Sequence, residues 1–219
     1  LVASYRERFR RECESLYTVT HDAIPRIFSN GSHEGVPYLV MERAKGHALS
    51  RCFDALLAKG GWDAVFRMSK SIAEALDTIH ARGLIHRDIK PSNIVVDPDS
   101  GNAMVIDFGI VRVDDTALTA EDTFIGTPGY AAPEQMQGDT VKESDQWSLG
   151  ATLYYLLSGV HPGDHPGQTT QEKTKALSIM RLMEGDYPSL ADVALRFPVP
   201  ESIVSAVVKA MSPDPTDRF

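Results

Sequence analysis

The run His86-Arg87-Asp88-Ile89-Lys90-Pro91-Ser92-Asn93, with Asp107-Phe108-Gly109 downstream of it, gathers the side chains of this sequence best suited to chemistry. A carboxylate at Asp88 can accept or orient the proton of a hydroxyl. Lys90, close by in the same extended loop, points the same way and can pair with a phosphate. Asn93 and Asp107 are hard oxygen donors of the kind that suit Mg2+. Gly109 permits the backbone torsions required where a packed Phe108 adjoins a metal-facing Asp107. The set meets the needs of phosphoryl transfer from ATP, in which little covalent work is asked of the protein. The nucleophile must be aligned and the charge on the phosphoryl oxygens neutralised.

Two long helices bracket these residues. Along 63–80, Val65, Met68, Ile72, Leu76 and Ile79 recur at helical spacing and predict an amphipathic helix. Along 145–158, Trp147, Leu149, Leu153, Tyr154, Leu156 and Leu157 leave almost no polar face, so that helix is expected to be buried all round. Nearer the start, 24–29 and 36–42 are short, β-branched or aromatic, and separated by the turn cluster Asn30-Gly31-Ser32; they predict two antiparallel strands. A helix from Leu49 to Leu57 should stop at Gly60-Gly61. The charged stretch 3–16 predicts an exposed helix with one anchoring stripe, and further helices are expected near 171–184 and 201–211. No internal repeat or low-complexity tract interrupts the pattern. The expected class is α+β, a mainly helical body behind a few strands.

At 219 residues the chain can form one sizeable core or two small lobes. A net charge of −8 argues against general nucleic-acid binding, which wants a basic face. Cys13 and Cys52 have no CxxC spacing and read as reduced thiols in a cytoplasmic setting. There is no apolar run of bilayer length and no signal-peptide pattern. The first residue is Leu1 and not Met, which suggests a piece of a longer protein whose other parts could carry a membrane anchor. His161 and His165 flank Asp164, but Pro162, Gly163 and Pro166 make the stretch an irregular loop and argue against a metal site.

The order HRDxKPxN, DFG, GTPGYAAPE (126–134) and SDQWSLG (144–150) resembles protein kinases along essentially the whole chain. FRRE in the first helix and YLVME before the hinge are most similar to the bacterial, eukaryotic-like (Hanks-type) Ser/Thr kinases. The resemblance implies a two-lobed fold, with 1–43 the remnant of the small lobe and 44–219 the large lobe. It implies ATP and Mg2+ as cofactors, protein Ser/Thr hydroxyls as acceptors, and a homodimer during autophosphorylation. Catalytic roles fall on Asp88, Lys90, Asn93 and Asp107, the last two binding metal. Nucleotide contacts fall on Glu12 (paired with a strand lysine), the gatekeeper Met41, the hinge residues Glu42 and Ala44, and Val95 at the floor of the adenine pocket. Leu16, Ile27, His86 and Phe108 are expected to stack as a regulatory spine. Asp145 is expected to hold the backbone of the His86–Arg87 turn, and Glu134 to pair with Arg218. Autophosphorylation is implied at Thr119 and also Thr123, with Arg87 receiving the phosphate, while Thr127 contacts Asp88 and Lys90.

The sequence departs from the family at its front. Neither GxGxxG nor a VAIK-type lysine precedes Glu12, and the family's last helix has no counterpart after Arg218. Taken alone, this stretch is therefore expected to be inactive or weak. A pseudokinase or docking module is the competing class, although such proteins usually lose Asp88, Asn93 or Asp107. A small-molecule phosphotransferase of the same fold would not predict GTPGYAAPE or Lys90, and Lys90 also argues against tyrosine specificity.

Overall fold

A computed structural model describes residues 10, 13–34, 36–108, 127, 129–164 and 175–219. The β-branched and aromatic residues near the start form β1 (Ile27–His33) and β2 (Val36–Met41), paired antiparallel. The period-two pattern of β2 exposes Val36, Tyr38 and Val40 and half-buries Pro37, Leu39 and Met41. The turn expected at Asn30-Gly31-Ser32 is not there. Those residues belong to β1, opposite Leu39, Tyr38 and Pro37, and the chain reverses only after His33, where Glu34 has a φ of +49°. Cross-strand packing overrides the local turn preference. The Tyr38 ring lies against Gly31 so closely that a Cβ there would be 2.5 Å from the ring's Cζ.

A second antiparallel sheet, in the order β3-β4-β5, is made of β3 (His47–Ala48), β4 (Ile94–Val96) and β5 (Ala103–Val105). Strands of two or three residues are too short to display a period, so the sequence does not announce them. Gly46 allows the chain to enter β3 tight against β4. Its φ is +108°, and a Cβ would stand 2.1 Å from the Val96 carbonyl oxygen.

Helix α1 (Leu49–His80) is continuous except at Gly61, whose φ of 59° and ψ of −161° kink it where an interruption was expected. Beyond the kink, Val65, Met68, Ile72, Leu76 and Ile79 all lie in the core. Of the expected helix at 3–16, the described residues 10 and 13–16 are helical.

The remaining helices are α2 (Pro133–Met136), α3 (Lys142–Ser158), α4 (Lys175–Glu184) and α5 (Glu201–Ala210). Trp147, Leu153, Tyr154, Leu156 and Leu157 of α3 are buried, while Leu149 keeps partial exposure. Val141 offers no capping side chain at the start of α3, and the Ser144 hydroxyl accepts its N–H instead, at 3.1 Å. Gly159 ends the helix in the left-handed conformation. Gly150 brings α5 close: a Cβ there would be 2.8 Å from Met211 Cγ and 3.1 Å from Ala210 Cβ.

The chain forms two compact units. One comprises Leu1–His86 and Ser92–Thr116; the other comprises Arg87–Pro91 and Ala117–Phe219. Cys13 and Cys52 are buried and form no disulfide with each other, and burial pushes the Cys52 thiol pKa up. No helix among the described residues is long and apolar enough to cross a membrane.

Candidate active site

In the unit containing Arg87–Pro91, the loop is built around a residue in an unfavourable conformation. Arg87 has a φ of +69°, a region that costs a side-chain-bearing residue about 1–2 kcal/mol. Its two backbone polar groups are both engaged by buried side chains. The Arg87 N–H donates to Asp145 Oδ1 at 2.8 Å, and the Gln135 amide donates to the Arg87 carbonyl at 2.7 Å. Asp145 comes from the first turn of α3 and Gln135 from α2. Ile89, in the middle of the loop, is fully buried.

Asp88, between these anchors, is 6% exposed. Its carboxylate closes a triangle with two partners. Lys90 Nζ lies 2.8 Å from Asp88 Oδ2 and donates to Thr127 Oγ1 at 2.7 Å, and the Thr127 hydroxyl donates to Asp88 Oδ1 at 3.0 Å. A buried carboxylate is costly without such partners. Here a cation and a hydroxyl supply them.

Helix α2 is held from behind. Arg218 grips Glu134 with both terminal nitrogens, at 2.7 and 3.0 Å, and the Ser144 hydroxyl donates to the same carboxylate at 2.7 Å. Arg218 also donates to the carbonyls of Ser212 and Glu143, and its guanidinium lies 5.1 Å from the Trp147 ring centroid. Burial opposes ionisation of Glu134, but the hydrogen bonds from Arg218 and Ser144 outweigh it and hold the pKa below the ordinary glutamate value. His161 packs among aromatic rings, stacked on Tyr155 at 4.5 Å and edge-on to Tyr130 at 5.0 Å.

In the other unit, the β4–β5 hairpin carries the oxygen donors. Ile94 pairs with Val105, and the Ile106 N–H donates to the Asn93 carbonyl at 2.8 Å, so the ladder runs one step past the strands. Asn93 and Asp107 therefore flank the same end of one hairpin. Asn93 is buried and Asp107 exposed, the latter at a φ of +58°. Two hard oxygen donors fit Mg2+, which commonly takes one or two protein oxygens and completes its shell with phosphates and water. His86 Nε2 lies 3.2 Å from the Ile106 carbonyl oxygen, and its ring is 4.8 Å from that of Phe108.

Of the other expected spine residues, Leu16 is buried and Ile27 half-buried. Met41 ends β2. The next residue, Glu42, donates its N–H to the Arg26 carbonyl at 2.7 Å, and Ala44 lies in the segment leading to β3. Val95 is the middle residue of β4, opposite Ala48 and Met104. Glu12, Gly109, Thr119 and Thr123 lie outside the described residues. Gln135 has no place among the residues expected from the sequence; the only sign of it is an amide directly after the Pro133-Glu134 pair.

The family described as the protein kinase domain matches residues 2–219. Serine/threonine-protein kinase PknF of Mycobacterium tuberculosis is 33% identical over 222 residues, covering 98% of this chain and 44% of that protein. A probable serine/threonine-protein kinase, PknB of Corynebacterium glutamicum, is 33% identical over 99% of this chain and 34% of its own length. The chain thus spans less than half the length of these relatives. Among solved structures, Rad53 (residues 1–466) in complex with AMP-PNP superposes with a TM-score of 0.75 at 28% identity, covering 97% of this chain and 52% of that one. The fold is the two-lobed α+β protein kinase fold, with a small antiparallel-sheet region and a mostly helical part.

Proposed function

This chain belongs to the protein kinase family, and from that membership we propose that it carries transfer of the ATP γ-phosphate to Ser and Thr hydroxyls of protein substrates. The observation that carries the reading is the closed triangle of Asp88, Lys90 and Thr127. Asp88 orients the acceptor hydroxyl and takes its proton as the oxygen attacks. Lys90, held against Asp88, offers positive charge to the phosphoryl oxygens. Thr127 fixes the directions of both and shapes the acceptor position. Lys90 also favours Ser/Thr over tyrosine acceptors.

Asn93 and Asp107 would hold Mg2+, whose contribution when bound is to neutralise charge on the nucleotide phosphates. Met41, the backbone of Glu42 and Ala44, and the side chain of Val95 would line the adenine pocket, with Glu12 pairing a lysine that serves the phosphates. In this reading residues 1–43 belong to the small lobe and 44–219 to the large one, Asp145, Glu134 and Arg218 serve structure, and the protein works in the cytoplasm. Regulation would run through autophosphorylation between two copies at Thr119 and Thr123, whose phosphates Arg87 would receive.

The test is ATP-dependent labelling of a Ser/Thr-containing acceptor protein by the full-length natural protein, with Asp88→Asn as control and phosphoamino-acid analysis of the product. Labelled phosphoserine or phosphothreonine that disappears in Asp88→Asn supports the reading. Nucleotide binding without transfer would identify a pseudokinase, and transfer only to small molecules would identify a phosphotransferase.

A further inference from the structure

We propose that Gln135 is a positioning residue of the transfer reaction, acting on Asp88 through the Arg87 carbonyl. The inference rests on the role given to Asp88 above. A peptide group is planar, so the orientation of each plane is set by whatever holds its N–H or its C=O. Arg87 lies between two such planes. Asp145 holds the plane before it, through the Arg87 N–H at 2.8 Å. Gln135 holds the plane after it, through the Arg87 C=O at 2.7 Å, and that plane ends at the Cα of Asp88. Of the two anchors, Gln135 is the one whose bond sets where the reacting carboxylate begins.

The need for such a hold follows from the torsion. With Arg87 at a φ of +69°, the relaxed alternatives lie on the other side of the Ramachandran map, and reaching them rotates the planes that flank it. Gln135 is 3% exposed, so its bond is formed away from competing solvent. Helix α2 has only four residues, too few to be stable alone, but the adjacent Glu134 is clamped by Arg218 and Ser144. The restraint therefore runs from Arg218 to Glu134, along α2 to Gln135, and across to the backbone bearing Asp88. At its other end Asp88 is held by Lys90 and Thr127, so the loop is fixed at both backbone and side chain.

The experiment is a double-mutant cycle in the full-length protein, with steady-state kinetics for ATP and acceptor. Gln135→Leu removes the donor at similar volume. It is expected to lower kcat about tenfold or more while leaving the KM for ATP within about twofold. In an Asp88→Asn background, Gln135→Leu is expected to cost less than about twofold more, because its action passes through the group already lost. A purely structural role would lower the active fraction by the same factor in both backgrounds, and that result overturns the inference, as does an unchanged kcat in Gln135→Leu. Gln135→Glu, which keeps the shape and turns an acceptor toward the same carbonyl, carries the identical cycle if the leucine variant does not fold. A wild-type rate in Asp88→Asn alone would bring down the functional reading together with this inference; a low rate there, joined to equal Gln135 losses in both backgrounds, overturns only the inference.

Discussion

The loop Arg87–Pro91 and the β4–β5 hairpin each present a carboxylate beside or within left-handed backbone, yet they are held in opposite ways. In the loop, side chains from separate stretches do the holding: Gln135, Asp145 and Thr127 each spend a hydrogen bond on Arg87 or Asp88. In the hairpin, the holding is backbone to backbone, through the pairing of Ile94 with Val105 and the Ile106–Asn93 bond, with the His86 and Phe108 rings packed alongside. A group that moves a proton must be aligned closely, and buried side-chain bonds supply that alignment at the risk of losing it to a single substitution. In the proposed roles, a metal ligand needs mainly an oxygen donor at the end of that hairpin.

The sharpest way to break this contrast is to remove each carboxylate in turn. Asp88→Asn should reduce transfer by roughly 10²–10⁴-fold, the range for losing a general acid–base group. Added Mg2+ should not restore it. Asp107→Asn should instead move the Mg2+ concentration for half-maximal rate upward, with part of the activity returning as Mg2+ is raised. Rates measured across a Mg2+ titration decide between them; recovery of Asp88→Asn at high Mg2+ would contradict the division of labour.

A second difference lies in what stands behind the loop. Arg218 is buried, with its side chain wholly inaccessible, and it grips Glu134 in two bonds. Arg218→Met should lower unfolding free energy by about 3–5 kcal/mol, because it leaves the Glu134 carboxylate, only 13% exposed, without its cation. Urea denaturation of wild type and variant reads this directly. A loss below about 1 kcal/mol would mean that α2 is held by packing alone.

The hairpin has its own weak point in Gly46. An alanine there must adopt a φ of +108° and drive its Cβ to 2.1 Å from the Val96 carbonyl oxygen. Gly46→Ala should therefore destabilise by about 1–3 kcal/mol, with the loss concentrated at β3 and β4. Amide hydrogen exchange would show faster exchange at Val96 and its neighbours and unchanged exchange around Ile89.

The two regions also differed in how far they could be read in advance. Asp88, Lys90, Asn93 and Asp107 stand out in the sequence as candidates because phosphoryl transfer demands those residue types, and the long helices are legible because their apolar spacing runs over several turns. Gln135 is not, since an amide after Pro-Glu has the look of a surface residue; its burial and its reach to Arg87 arise only when α2 is pinned by Glu134 and Arg218. β3, β4 and β5 escaped for want of length. Asn30-Gly31-Ser32 misled because local turn chemistry lost to the ring of Tyr38 across the strand pair.

The smallest expected effect is the pH dependence that Glu134 gives to stability. Its folded-state pKa lies below the ordinary glutamate value because the bonds from Arg218 and Ser144 outweigh its burial. An unfolded chain loses those bonds and takes up a proton at the ordinary value, near 4.3. Between the two values the unfolded state binds more protons, so stability must fall as pH falls. The contribution is whole above the ordinary value and disappears as pH passes down through the folded one. Glu134→Gln has no charge to lose and keeps no salt bridge to weaken. Its stability deficit against wild type should be greatest near neutral pH and shrink as the solution is acidified below about pH 4.5. Urea midpoints for the pair, taken from pH 7 down to pH 3, measure that narrowing. A deficit that stayed constant over the range would show that the carboxylate's charge is not what Arg218 holds, and the brace behind Asp88 would then rest on shape rather than on the ion pair.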